Sequence, residues 1–459
     1  MSAGTTAGDD RYVPGHGDLS FGASHYDLEL DYNVASNRLS GRTTISAVAA
    51  DDLDTFELDL HGLRVSKVAV NGSPAKYTHR KSRLVIRPQV RIAAGSDFTV
   101  AIAYSGSPQP MPGPDGEAGW EELADGVIVA SQPHGAPSWF PCNDRPSDKA
   151  TYAIELTTQS SYLVVANGVL ASTRRRAGGT TWRHVEESPM ATYLATVQIG
   201  RYDVVDSGTD VPIRTAHPAG DTSGSLGAFA RQDDMMSAFV RLFGPYPFAT
   251  YTAVITADEL EIPLEAQGLS VFGSNFVADD WSNERLIAHE LAHQWFGNSV
   301  TLTHWRDIWL HEGFACYAEW IWSQESGDLS TQERAEAAWD RLSGLAQDFV
   351  LSDPGPDLMF DDRVYKRGAL LLHALRLTVG DQAFFEVLRA WTGRYAHGSV
   401  VTDEFVALSA ELCGPSVGEL FDSWLREVSL PALPQERAAE VEPAPARSRR
   451  RRIRRGTPG

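Results

Sequence analysis

The sequence predicts an α+β multidomain protein, with an N-terminal antiparallel β-sandwich followed by a mainly helical domain. Three observations carry this. Apolar side chains alternate with a period of two from about Tyr26 to Gly200. After about Asp203 the apolar spacing lengthens to that of amphipathic helices. A chain of 459 residues also exceeds what one core usually organises, so more than one domain is expected. We divide it into a flexible N-terminus (1–14), a sandwich domain (15–203), a helical domain (204–435) and a disordered Arg-rich tail (436–459).

Taken in order, Tyr26, Leu28, Leu30, Tyr32 and Val34 alternate with polar partners, and so do Phe56, Leu58 and Leu60. Asn71-Gly72, after Val68 and Val70, is a hairpin signal because both residues tolerate positive φ. Phe98, Val100, Ile102 and Tyr104 form a further strand pattern. The Gly- and Pro-rich stretch 105–126 reads as a long loop. Residues 131–144 mix turn residues with Trp139 and Phe140, which suggests packing against a neighbouring domain. Tyr152, Ile154 and Leu156 resume the alternation, and Asn167-Gly168 marks another turn. Phe229, Met235, Met236, Phe239, Val240, Leu242 and Phe243 then follow a helical spacing that stops at Gly244-Pro245. A strand at 251–255 and an extended segment at 264–272 precede a helix expected to be capped by Ser282 or Asn283. Further helical patterns cover 312–324, 332–348, 364–379, 382–394 and 402–412, and the folded part ends near Pro431 and Pro434.

Composition narrows the class. Apolar residues make up 42% and charged residues 22%, the balance of a globular chain rather than a fibrous or disordered one. The N-terminus lacks the basic start and apolar core of a secretory signal, and no apolar run is long enough to span a membrane. A cytoplasmic protein with no membrane partner is therefore expected. Cys142, Cys316 and Cys413 have no paired spacing and read as buried thiols. The formal charge of -20 argues against nucleic acid as a partner, except through the run Arg447 to Arg455.

The chemistry centres on His289-Glu290-Leu291-Ala292-His293. On a helix, histidines four apart project from one face and can reach the same metal ion. Glu312, in Trp309-Leu310-His311-Glu312-Gly313-Phe314-Ala315, supplies a third ligand. Two imidazoles and one carboxylate leave a tetrahedral zinc ion open to water, as in a catalytic site. Glu290 then stands beside the ion as general base and acid. Glu319, two turns after Glu312, and Asp307 are candidates to orient the histidines.

The run from His289 to Asn298, with Trp309 to Ala315, resembles the gluzincin zinc aminopeptidases, the family of aminopeptidase N and leukotriene hydrolase. The resemblance covers nearly all of residues 15–435 and implies a thermolysin-like catalytic domain, one zinc per chain and peptide substrates with a free N-terminus. It makes Tyr365, in Val364-Tyr365-Lys366-Arg367-Gly368, the oxyanion donor, with Arg367 where the family has lysine. It aligns Ile262 to Leu269 with the family's Gly-x-Met-Glu-Asn motif, so that Glu265 and Gly268 become substrate-binding and Glu265 the anchor for the terminal amine. Ile262 or Pro263, Leu264 and Ala266 stand where that motif has Gly, Met and Asn. Gln132, upstream of Phe140-Pro141-Cys142-Asn143-Asp144, is implied to join the anchor. Family members usually continue with a large helical domain where this chain has its Arg-rich tail, so an open cleft is expected. The alternatives are a zinc endopeptidase using that cleft, a leukotriene-type epoxide hydrolase, and a non-catalytic zinc-stabilised binding protein docking through its tail.

Overall fold

The computed structural model describes residues 10–114, 116–220 and 226–434; the Arg-rich tail at 436–459 lies outside them. The N-terminal half is built on an eight-stranded sheet in the order Val169–Arg176, Gly179–Met190, Ala150–Thr158, Phe21–Asn33, Arg38–Ala49, Asp97–Gly106, Arg64–Val70, Ser73–Pro74. Its buried face follows the alternation in the sequence: Tyr26, Leu28 and Leu30 are at most 4% exposed. The central pair departs from the expected antiparallel pattern. Phe21–Asn33 runs parallel to Ala150–Thr158, with Tyr26 opposite Tyr152 and Leu28 opposite Ile154. A parallel pair needs a crossover, and here the strands between the two partners provide it.

A five-stranded sheet (Leu163–Ala166, Val197–Gly200, Gly126–Ala130, Gly116–Leu123, Met111–Gly113) and a three-stranded one (Phe56–Asp59, Arg83–Arg87, Lys76–Arg80) complete the β-rich half. The first overturns the expectation of a loop at 105–126. Ala118, Gly119 and Trp120 are buried together between exposed Glu117 and Glu121, so the strand has no period-two alternation that its sequence could show. Asn71 and Gly72 have φ of 49° and 76° and join Arg64–Val70 to Ser73–Pro74 as a hairpin. Asn167-Gly168 instead joins strands of different sheets.

The second half opens with a mixed sheet ordered Tyr202–Ser207, Ile213–Pro218, Tyr251–Ile255, Leu269–Phe272, Leu264–Ala266. The expected extended segment is thus a hairpin, with its edge strand carrying Glu265. Helices follow: α1 (Gln232–Phe243), α2 (Trp281–Ala292), α3 (Trp309–Glu325), α4 (Thr331–Ser343), α5 (Asp362–Val379), α6 (Asp381–Arg394), α7 (Thr402–Cys413) and α8 (Val417–Arg426). Helix α2 is capped by Asp280, which accepts from the Asn283 backbone, rather than by Ser282 or Asn283. Aromatic side chains fill the space between helices: Phe296, Trp309, Phe314 and Phe405 form a continuous cluster. No helix among the described residues is long and apolar enough to cross a membrane.

Residues 131–144 serve two partners. Trp139 and Phe140 pack on Trp120 and Tyr26 inside the β-rich half, contrary to the expectation that the aromatics face a neighbour. Only the Gln132 end reaches the helical half. Cys142 and Cys316 are buried thiols, and Cys413 is partly so.

Candidate active site

Helix α2 ends at Ala292, so His289 lies in its last turn and His293 occupies the C-cap with helical backbone angles. That keeps both rings on one face, with centroids 4.8 Å apart. Glu312 enters from the first turn of α3. Its Oε2 is 3.3 Å from His289 Nε2 and 3.5 Å from His293 Nε2. The approach of α3 to its neighbour depends on two glycines. A Cβ on Gly313 would lie 2.8 Å from the Gly368 Cα, so α3 and α5 touch backbone to backbone there. This contact sets Glu312 and Tyr365 on adjoining helices beside one cluster; the Tyr365 ring stacks 6.1 Å from that of His289.

Each imidazole is held from behind. His289 Nδ1 bonds Glu319 Oε1 at 2.8 Å, and His293 Nδ1 bonds the Phe296 carbonyl at 3.0 Å. Both partners are acceptors, so each neutral ring carries its proton on Nδ1 and turns the lone pair of Nε2 toward Glu312. Glu290 is 4% exposed, and its Oε2 has no hydrogen-bond partner. Burial, with the nearby Glu265 charge adding to it, pushes the Glu290 carboxyl up to about 8. Although burial opposes their protonation, Glu312 and the other surrounding carboxylates draw His289 up to about 9 and His293 to about 10. Glu312 itself is held well below the carboxylate range despite burial, chiefly by His293 and His289. Ligand atoms of His289, His293 and Glu312 lie within 4.8 Å of one another. Three convergent donors and fixed tautomers fit a divalent metal ion.

Beside this cluster, Gln132 Nε2 donates to Glu265 Oε1 at 2.5 Å, bridging the two halves of the molecule. Gln132 borders a cleft of about 680 Å³, which it and Tyr365 line together with Leu264 and Phe360. Gly268 lies elsewhere. It forms the hairpin turn at φ +74°, gives its N–H to Gln294 Oε1 at 2.9 Å, and accepts from the Thr252 N–H at 3.0 Å. Both backbone groups have partners within the fold, and Gly268 borders a separate crevice with Glu186 and Phe248. Asp307 does not reach either histidine; it accepts from Thr402 instead. Arg367 turns away as well, donating to the carbonyls of Trp424, Glu427, Val428 and Ser429 and so fastening the end of α8. His311 accepts from the Leu302 N–H and is wholly buried.

Sequence reasoning passed over Gln294 and Asn298. Both amides donate to the Ala266 carbonyl, at 3.1 and 2.9 Å, which holds the strand carrying Glu265 against the end of the metal helix. Both side chains are fully buried, which the sequence does not mark.

Comparison with known proteins accounts for this arrangement. Residues 229–424 match the peptidase family M1 domain, and residues 23–194 match the peptidase M1 N-terminal domain. An M1 zinc metallopeptidase from Deinococcus radiodurans superposes with a TM-score of 0.85 at 31% identity, covering 93% of this chain and 99% of that one. The chain belongs to peptidase family M1. A second structure of that Deinococcus M1 protein, bound to a Tyr-Ser-Ala substrate, superposes with a TM-score of 0.86 at 30% identity, again covering 93% of this chain and 99% of that one. Aminopeptidase M1-B of Oryza sativa subsp. japonica is 25% identical over 445 residues, 89% of this chain and 50% of that protein. Aminopeptidase M1 of Arabidopsis thaliana is 27% identical over 335 residues, 67% of this chain and 37% of that protein. The M1 chain described here thus spans half or less of these plant relatives.

Proposed function

We propose that this chain is a zinc-dependent metallo-aminopeptidase that removes N-terminal residues from peptides. The observation that carries the reading is the Gln132–Glu265 pair set beside the His289, His293 and Glu312 cluster. A carboxylate beside the metal cluster is the simplest recogniser of a free α-ammonium. Membership of family M1 and the aminopeptidase relatives support the same conclusion.

In this reading His289, His293 and Glu312 hold one zinc ion. Zinc, when bound, activates a water molecule and polarises the scissile carbonyl. Glu290 is the general base: its unpartnered Oε2 takes the water's proton and afterwards delivers it to the leaving amine. Tyr365 keeps its proton, since burial and the charge of Glu312 hold it well above the usual tyrosine range, and donates it as a hydrogen bond to the oxyanion. Glu265 accepts the substrate ammonium, while Gln132 fixes that carboxylate by one N–H and offers its own carbonyl as a second acceptor. Gly268 serves by shaping the anchor hairpin. We assign the anchor glutamine to a β domain at 15–203 and the remaining site residues to a catalytic domain at 204–435.

Glu265→Ala tests the reading. Removing one member of a desolvated charge pair costs about 2–5 kcal/mol, so kcat/KM for free-amine substrates should fall at least ~30-fold. Activity on N-acetylated counterparts should stay at its low starting level. Equal loss on both sets would remove the amine anchor and favour an endopeptidase.

A further inference from the structure

Lys149 immediately precedes the strand Ala150–Thr158, an interior strand of the eight-stranded sheet. Its neighbour Asp148 pins this segment to the first strand, accepting from the Ala23 N–H at 3.1 Å and from Asn143 Nδ2 at 2.6 Å. From this fixed base the Lys149 side chain crosses into the helical half. Its Nζ donates to the carbonyls of Asn298 (3.0 Å), Ser299 (2.9 Å) and Gly398 (3.4 Å) and to Thr301 Oγ1 (2.9 Å). Thr301 gives its own hydroxyl hydrogen to the Gly297 carbonyl, so all four partners are acceptors. Such a shell suits an ammonium ion, with no carboxylate in contact with it. Burial pulls the lysine down to about 7, opposed by the charge of Glu186.

The caged segment is the one that wraps His293. Phe296 supplies the carbonyl that fixes the His293 tautomer, and the Asn298 N–H bonds the His293 carbonyl at 2.9 Å. The Asn298 side chain holds the Ala266 carbonyl, next to Glu265. Lys149 and Gln132 both come from the β-rich half, so one ammonium fixes how that half sits against the metal ligand and the anchor strand.

We propose that Lys149 is a positioning residue that holds the 296–301 segment, and through it His293 and the Glu265 strand, in register with the β domain. This rests on the assignment of His289, His293 and Glu312 as zinc ligands. Zinc release is the direct readout, because it needs neither substrate nor turnover. Lys149→Met keeps the length of the side chain and removes the charge. Zinc-loaded K149M should release the ion to a chromogenic chelator about tenfold faster than the parent, the size expected when support behind a ligand is lost. Val68→Ala, a core change near the far edge of the same sheet, is the control for general loosening; K149M must release zinc faster than V68A when the two are matched for distance below their melting temperatures. Thr301→Val removes one of the four acceptors and is read in the same way, with roughly a two- to fivefold effect, should K149M fail to fold. Release within twofold of the parent in the variant that folds, or no faster than V68A, overturns the proposal. Failure of the parent chain to bind zinc stoichiometrically would instead overturn the functional reading on which it depends.

Discussion

Glu319 offers a quantitative test of the metal site. It accepts from His289 Nδ1 at 2.8 Å and lies 3.2 Å from Arg285 and 4.0 Å from Lys366. Burial opposes its ionisation, yet Lys366, His289 and Arg285 bring it down to about 2, so it is a full anion at neutral pH. A hydrogen bond to a charged group contributes about 1.5–3 kcal/mol, and each 1.4 kcal/mol is a factor of ten in affinity. Glu319→Gln preserves shape and can still accept through its amide oxygen, so it removes the charge alone. Zinc affinity should weaken about tenfold, the lower end of that range. Glu319→Leu also removes the acceptor, freeing the ring to rotate, and should approach a hundredfold loss. The assay is a competitive chelator titration on folded protein at fixed pH and ionic strength. Affinities of both variants within twofold of the parent would refute the argument that Glu319 sets the lone pair of His289.

Glu290→Gln should retain zinc at full stoichiometry while turnover falls by about 10²–10⁴-fold, the usual contribution of a positioned general base; loss of the metal would reassign Glu290 as a ligand. Zinc uptake should also expel protons. In the metal-free chain His289 and His293 are drawn up to about 9 and 10, so both are protonated at pH 7, and a metal needs their lone pairs. Binding therefore releases about two protons at neutral pH, and affinity rises with pH until those groups have titrated. Calorimetry in buffers of different ionisation enthalpy reads this number, and a value near zero would contradict the electrostatic account of the site.

The local parts of this site were legible in the sequence because helical geometry is local. Histidines four apart share a face, and Glu319 follows Glu312 by seven residues, two turns along α3. Asp307 had the same claim on sequence grounds, but it lies in a short turn before α3, where it meets Thr402 instead. Strand alternation marked the eight-stranded sheet but not the parallel direction of its central pair, which depends on how far the chain travels before returning. At 111–123 no sustained alternation marked the strands, and glycine and proline content read as loop. Gln294, Asn298 and Lys149 were silent for another reason: each acts on backbone carbonyls, and a carbonyl has no sequence signature. Arg367 shows the converse. Its motif position showed only that it stands where the family has lysine, while its carbonyl partners at the end of α8 could not be read from the sequence.

The measurement that bears most directly on the central claim is hydrolysis of a panel of aminoacyl fluorogenic amides beside their N-acetyl counterparts, before and after chelation and after zinc is restored. Cleavage confined to the free amines, abolished by the chelator and recovered with zinc, is the predicted result. Cleavage of blocked or internal bonds at comparable rates, or none from stoichiometrically zinc-loaded protein, would contradict it.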